Sequence, residues 1–293
     1  MLWLIVIILA YFLFAIVSLI DRYLLIGPLN AKVYTFYIGV LGILALLLGP
    51  LVGFSIPGKE EVLFCLLAGA VYVFALFGFL SGLERFEAST IVPAIGGFLP
   101  IFTFVLVYFF SGGKETLNLT EFLALILLIF GSMIIWWKGF FKISFTGLGI
   151  SFITALLSAF SLILAKYIYL MLPFWTGFIW IRVGAFLTAL FFLFTKQVRK
   201  ELFSGVSAFS KETGAFFLFN LAIGAGAFVL QNWAIALAGL VYLPVINALQ
   251  GIQYVFLFVL TLLFLKEGLS KKIIFQKIIA ILFIGAGLII LTL

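Results

Sequence analysis

Long apolar runs fill this chain almost from end to end, and they constrain its fold more than any other feature. Most stretches of about 20 residues consist of Leu, Ile, Phe, Val, Ala and Gly. An apolar helix rises about 1.5 Å per residue, so about 20 residues cross the roughly 30 Å hydrocarbon core of a bilayer. A chain made of such runs and short links is predicted to be an all-α, polytopic membrane protein.

The charged residues are few, and their positions exclude a nucleic-acid partner. They make up 9% of the chain, whereas an ordinary soluble domain has about a quarter. Lys and Arg outnumber Asp and Glu by 17 to 10, but nearly all of the basic residues lie in links between apolar runs, where membrane topology places them. The expected partners are the lipid bilayer and a small-molecule substrate.

The residues needed for catalysis or metal binding are scarce. The chain contains no histidine and one cysteine, Cys65, which excludes His metal ligands and Ser-His-Asp nucleophiles. All acidic residues lie at the ends of apolar runs or in links. No phosphate-binding loop of the G-x-x-x-x-G-K-[ST] kind is present. The sequence therefore predicts no enzyme, no cofactor, no metal site and no ATP-driven pump.

Charges, turn residues and the length of a bilayer crossing divide the chain into ten predicted spans. The links between them are short, so that no extramembrane domain is expected. The spans cover residues 2–20, 33–53, 62–82, 89–110, 120–137, 147–169, 174–195, 214–236, 241–264 and 273–292.

The two halves of the chain, residues 1–142 and 143–293, resemble each other. Matching residues recur in the same order at a separation that grows from about 144 to about 156 residues: Gly39 and Gly184, Pro93 and Pro244, Glu115 and Glu267, Gly131 and Gly287. Each half would hold five spans. Because five is odd, the second half enters the membrane from the opposite face, which predicts two inverted five-helix repeats, as transporters use.

Several short motifs extend this resemblance to a known family. They are Ile91-Val92-Pro93 and Leu243-Pro244-Val245, the long apolar run after each, Leu265-Lys266-Glu267, and Arg182 with Gly184 after Trp180-Ile181. On these motifs the chain resembles, over about its whole length, the ten-helix EamA-type members of the drug/metabolite transporter superfamily. One departure is Tyr37, where alignment with Arg182 would put a basic residue. The resemblance implies a secondary transporter, by family an exporter, in a prokaryotic inner membrane.

Polar residues within the spans are the candidate substrate contacts, because polar side chains at membrane depth are costly. Asn247, Gln250 and Tyr254 share one face of span nine, at spacings of i, i+3 and i+7. Asn220 and Gln231 share a stripe of span eight. Hydrogen bonding between helices is the alternative for these amides. Arg182, early in span seven, could hold a substrate carboxylate or serve as a tether between helices.

Two further expectations concern helix geometry. Pro93, Gly96, Gly97 and Pro100 predict a kinked or locally open span four, with tight packing by small residues as the alternative. Lys166, near the end of span six, is expected to extend toward the membrane interface. Spans 1, 3, 4, 6, 8 and 9 are predicted to line the substrate site.

The leading hypothesis is a secondary transporter of small organic metabolites, such as amino acids or related compounds, that works by alternating access. The alternative is a lipid-handling or flippase-type protein. The four-helix relatives carry a membrane-embedded carboxylate in their first helix, and its absence here argues against proton antiport of their kind. The basic residues place both termini outside the cytoplasm, whereas the family implies termini inside. Substrate identity, coupling ion, direction and oligomeric state stay open.

Overall fold

The structure is a computed structural model that describes residues 2–24, 30–86, 88–135, 144–203, 211–265 and 271–292. Every regular element within these ranges is a helix. Short 3-10 helices cover Gly42–Leu48, Phe191–Phe194 and Leu240–Tyr242. The α-helices are α1 (Leu2–Leu24), α2 (Ala31–Leu41), α3 (Gly49–Val52), α4 (Lys59–Arg85), α5 (Ala88–Phe110), α6 (Leu119–Ile135), α7 (Phe145–Met171), α8 (Phe174–Leu190), α9 (Lys196–Phe203), α10 (Lys211–Leu237), α11 (Leu243–Ala248), α12 (Gln250–Leu265) and α13 (Lys271–Thr292).

Eight helical stretches among the described residues are long and apolar enough to cross a membrane. Two further apolar stretches are shorter among the described residues, Ala94–Phe110, which is part of the 23-residue α5, and Leu119–Ile134 in α6. Each of the ten segments proposed from the sequence is largely helical. The prediction of an all-α, multi-pass membrane protein is confirmed.

Local capping explains where several helices begin. Asn30 accepts a hydrogen bond from the backbone amide of Val33 at the start of α2, and Ser144 does the same for Gly147 in α7. At α6 the bonds are reciprocal: the Asn118 amide donates to Glu121, and the Glu121 amide donates to the Asn118 side chain. These bonds satisfy amides that have no partner within the helix.

The helices pack in a small set of pairs. α1 lies against α10 and α12, α4 against α7 and α8, and α6 against α13. α2 packs on α8, while α5 packs on both α7 and α11. The close approach of α4 and α8 requires Gly184, where a Cβ atom would lie 2.6 Å from the Cα atom of Leu66.

The structure distinguishes between the two alternatives for span four. α5 is a continuous α-helix from Ala88 to Phe110, so span four is not locally open, and the close approach at Gly96, where a Cβ atom would lie 3.2 Å from the Tyr254 hydroxyl, agrees with packing by small residues. Neighbouring helices can compensate for the hydrogen bond that a proline removes from a membrane helix. The interruption lies instead in span nine, where α11 ends at Ala248 and α12 begins at Gln250.

The expectation that Lys166 extends toward the membrane interface is wrong, because its side chain is buried. Its Nζ atom donates to the carbonyl oxygens of Ala236, at 3.0 Å, and Ala238, at 2.5 Å, in the last turn of α10 and just beyond it. The last carbonyls of a helix lack partners within it and carry the negative end of its dipole. An ammonium group at that position satisfies both, which offsets the cost of its burial.

Candidate functional site

A cavity of about 240 Å³ lies within the helix bundle, between α1, α4, α5, α7, α10, α11 and α12, with Ile181 of α8 at its edge. Apolar side chains and rings form much of the wall. The polar side chains that line it are Tyr11, Tyr72, Thr154, Ser158, Ser161, Gln231, Asn232, Asn247, Gln250 and Tyr254. This size suits a small organic molecule.

The interruption between α11 and α12 places three of the predicted residues on the cavity wall. α11 has Pro244 in its first turn and ends after six residues, with Leu249 between the two helices. Asn247 lies just before the interruption, and Gln250 and Tyr254 follow it. All three line the cavity. The spacing seen in the sequence therefore corresponds to a shared face, although the helix is not continuous.

Hydrogen bonds connect several of these side chains to other helices. The Asn247 Nδ2 atom donates to the Thr103 hydroxyl of α5 at 2.7 Å. Tyr11 of α1 donates to the carbonyl oxygen of Ile246 at 2.7 Å. The alternative function of these amides, joining helices, thus operates at the same residues that line the cavity.

Of the two residues predicted on α10, Gln231 lines the cavity, and Asn220 lies too far along the helix to reach it. Gln231 lines the cavity together with its neighbour Asn232, which accepts a hydrogen bond from the Tyr169 hydroxyl at 2.8 Å. Asn220 is buried but is not among the residues that line the cavity. Eleven residues of helix span about 16 Å, so Asn220 shares the face but not the site. Of the six candidate substrate contacts, four line the same cavity: Gln231, Asn247, Gln250 and Tyr254.

Arg182 lies one layer behind the cavity wall, with 6% of its surface exposed. Its Cζ atom is 3.9 Å from the ring centroid of Phe228 and 4.5 Å from that of Tyr72, and both rings line the cavity. Phe178 lies further away, at 5.7 Å. Cation–π contacts of a desolvated arginine contribute about 2 kcal/mol. They do not satisfy the N–H donors, and Nε and Nη2 are buried without a hydrogen-bond partner among the described residues.

Sequence reasoning missed part of the polar wall. Thr154, Ser158 and Ser161 of α7 line the cavity at spacings of i, i+4 and i+7, a helical stripe that the sequence displays. Tyr11 and Tyr72 had no comparable signal, because a single tyrosine in an apolar run indicates neither a cavity nor its position.

No acidic or basic side chain lines the cavity as the described residues form it. In those same ranges, no group of three or more His, Cys, Asp or Glu residues could hold a metal ion. Amides and hydroxyls can donate and accept hydrogen bonds without a net charge. The wall can therefore bind a solute that combines an apolar part with hydrogen-bonding groups.

Comparison with known proteins supports the fold alone. No family model and no curated protein matches the sequence. A solved structure described as "Crystal structure of protein" is similar at a TM-score of 0.72 and 15% identity, covering 99% of this chain and 97% of that one. The arrangement of helices therefore has a full-length counterpart among solved structures, with little sequence identity to this chain.

Proposed function

We propose that the protein is a secondary transporter that moves small organic metabolites by alternating access, with ten spans arranged as two inverted five-helix repeats, residues 1–142 and 143–293. The observation that carries the proposal is the polar-lined cavity, because helices from both halves enclose it. Transporter sites lie at the interface between such repeats, commonly beside interrupted helices. The interruption at Leu249 fits that pattern.

The contact between α6 and α13 supports an inverted relation. A Cβ atom at Gly131 would lie 3.1 Å from the carbonyl oxygen of Ala280, and one at Gly287 would lie 3.1 Å from that of Ala124. The offset that relates Gly131 to Gly287 also relates Ala124 to Ala280. The residue numbers in contact increase along one helix as they decrease along the other, so the two helices are antiparallel. Exchanging the two halves turns each of these contacts into the other.

The contact between α5 and span nine repeats this relation. Thr103 meets Asn247 through a hydrogen bond, and a Cβ atom at Gly96 would lie 3.2 Å from the Tyr254 hydroxyl. The offset between Pro93 and Pro244 relates Gly96 to Asn247 and also Thr103 to Tyr254. Two contacts at the cavity are therefore equivalents of each other, as a two-fold axis in the membrane plane requires.

The packing of helix pairs is also unchanged when each span is replaced by its counterpart in the other half. Spans one and eight pack together as α1 and α10, and their counterparts, spans six and three, pack together as α7 and α4. The pairs of spans two and seven, four and nine, and five and ten are each their own counterparts, and all three are in contact. α5, with 23 residues, and α6, with 17 residues up to Ile135, both fall within the lengths that cross a bilayer, and they complete the proposed ten crossings.

The chemistry of the wall indicates the substrate class. Amides, hydroxyls and rings suit small metabolites that have both polar and apolar parts, and amino acids or related compounds fit that description. Export is the direction implied by the resemblance to EamA-type transporters, and a prokaryotic inner membrane is the expected location.

Solute counterflow into proteoliposomes tests the proposal. The full-length protein would be screened with a panel of small neutral and zwitterionic metabolites. For the solutes that exchange, we expect Asn247→Leu combined with Gln250→Leu to lower the exchange rate more than tenfold, about 1.4 kcal/mol. Gln197→Leu is the control, because Gln197 is an exposed amide on α9.

Two results would contradict the proposal. One is exchange that the double variant leaves unchanged, which would place the route elsewhere. The other is scrambling of fluorescent lipid without exchange of any solute, which would favour the lipid-handling alternative.

A further inference from the structure

We propose that Arg182 binds a carboxylate of the transported solute, and that Tyr72 and Phe228 cover this group until the solute arrives. The inference rests on the proposed transport function and specifies the charge of the substrate. It is carried by the geometry of the guanidinium, which is buried beside the cavity with its Nε and Nη2 atoms lacking a hydrogen-bond partner among the described residues.

The aromatic contacts of Arg182 leave its strongest recognition edge without a hydrogen-bond partner. The rings of Tyr72 and Phe228 pack against the guanidinium, with centroids at 4.5 and 3.9 Å from Cζ. The donors lie in the guanidinium plane, and Nε and Nη2 form the edge that binds a carboxylate with two parallel hydrogen bonds. Both atoms are buried and lack a hydrogen-bond partner among the described residues.

The opposite edge of the guanidinium is directed toward α2 and the 3-10 helix that follows it. A Cβ atom at Gly42 would lie 3.5 Å from the Cδ atom of Arg182 and 3.6 Å from Nη1. The backbone of this segment thus closes one side of the arginine at van der Waals distance. The unused edge is consequently the one with capacity for a ligand.

The charge of Arg182 has no counterpart in the cavity wall. No acidic side chain lines the cavity formed by the described residues. A buried cation without an anion is costly, and ionisable residues within membrane spans commonly mark a substrate path. A carboxylate that entered the cavity would supply the missing charge and the missing acceptors together.

Two side chains lie between the arginine and the cavity. Tyr72 and Phe228 line the cavity on one side and contact Arg182 on the other. Rotation of either ring would exchange a cation–π contact for charge-assisted hydrogen bonds to the solute, which are stronger. The polar remainder of the solute would then reach Gln231 and Asn247.

A purely structural arginine would behave differently, and matched ligand pairs separate the two cases. The probes are L-leucine with L-leucinamide, and phenylacetate with phenylacetamide, since the members of each pair differ mainly in the carboxylate. Binding to the full-length protein in lipid nanodiscs at neutral pH would be measured by calorimetry. We expect the wild type to bind the carboxylate members about tenfold more tightly than the amides.

Substitutions at the arginine should change this preference rather than binding as a whole. Arg182→Gln is expected to bring the carboxylate-to-amide ratio close to one while leaving amide binding intact, and Arg182→Lys to retain part of the preference. Phe228→Leu should strengthen carboxylate binding several-fold, because it removes a competing ring. Arg199→Gln, which removes an exposed cation on α9, should preserve the wild-type ratio. Elution volume and melting temperature report whether each variant is folded.

Equal binding of both members by the wild type, absence of binding by both carboxylates, or an unchanged preference in Arg182→Gln would overturn the inference. These results leave the transport proposal standing if neutral solutes still exchange in proteoliposomes. Arginine-dependent carboxylate binding without any solute exchange would have the opposite meaning, supporting the inference and contradicting transport.

Discussion

The contacts between helices are similar in the two halves of the molecule, but the cavity wall is not. Gly131 and Gly287 make equivalent contacts across α6 and α13. At the cavity, residues 2–135 contribute two polar side chains, Tyr11 and Tyr72, whereas residues 144–292 contribute all the amides and aliphatic hydroxyls of the wall. The positions equivalent to Asn247 and Gln250 are Gly96 and Leu99.

This difference indicates a division of roles within a symmetric frame. In the proposed alternating-access cycle, both halves must pack alike to exchange conformations, which would account for the equivalent contacts. The wall would be free of that requirement, because the two ends of a transported solute differ. The hydrogen-bonding end of the solute is expected to face the second half, and its apolar end the first.

The largest expected effect tests the symmetric frame. Gly131→Leu and Gly287→Leu should each destabilise the protein by about 1–3 kcal/mol, because a side chain at either position is forced against the backbone of the facing helix. Apparent melting temperatures in detergent would measure both losses. Gly285→Leu is the control, since a Cβ atom there meets nothing within 4 Å. A large loss at one glycine alone would show that the interfaces are not equivalent.

The next effect tests the asymmetric wall. Gln250→Met should lower solute exchange about tenfold, or roughly 1.4 kcal/mol, because the wall loses an amide at the interrupted helix. Leu99→Met introduces the same residue at the equivalent position of α5, and it should change the rate of solute exchange less than twofold. Counterflow in proteoliposomes measures both. Equal losses would mean that the two halves contact the solute alike.

A smaller effect is expected at Lys166, the buried lysine of α7 that contacts the end of α10. Lys166→Met should cost about 1 kcal/mol of stability, since the carbonyls of Ala236 and Ala238 lose a charged donor at the end of α10. Lys196→Met removes an exposed cation instead and should stay within about 0.5 kcal/mol of the wild type. Denaturant titration of both variants gives the comparison, and identical curves would assign no stabilising contact to Lys166.

The smallest effect lies where the halves meet. Thr103→Val and Asn247→Ala should each remove the hydrogen bond between α5 and α11, with a coupling of about 0.6 kcal/mol, as is usual between membrane helices. A double-mutant cycle on melting stability measures that coupling. Strictly additive losses would indicate that Asn247 faces the solute without joining the helices.

Apolar run length, charges and turn residues were enough to predict the helices of this fold. The caps formed by Asn30 and Ser144 at the starts of α2 and α7 were not predicted. The interruption at Leu249 was not predicted, and one was expected in α5, because proline shows where a hydrogen bond is lost but not whether neighbouring helices compensate.

The site was partly accessible from the sequence. Spacing on a single helix placed Asn247, Gln250 and Tyr254 on one face, and the same reasoning applied to α7 would have found Thr154, Ser158 and Ser161. The aromatic surroundings of Arg182 could not be predicted, since Tyr72 and Phe228 belong to helices far apart in the chain. Helical periodicity likewise could not tell that Asn220 lies beyond the reach of the cavity.

Labelling of the cavity from each side of the membrane tests whether the proposed site alternates in access. The chain has one cysteine, Cys65, which is buried, so Cys65→Ser provides a background for Ser158→Cys. Alternating access predicts that a membrane-impermeant thiol reagent reaches the new cysteine from either side, and that a transported solute changes the two labelling rates in opposite directions. Labelling from one side only, with or without solute, would contradict the account.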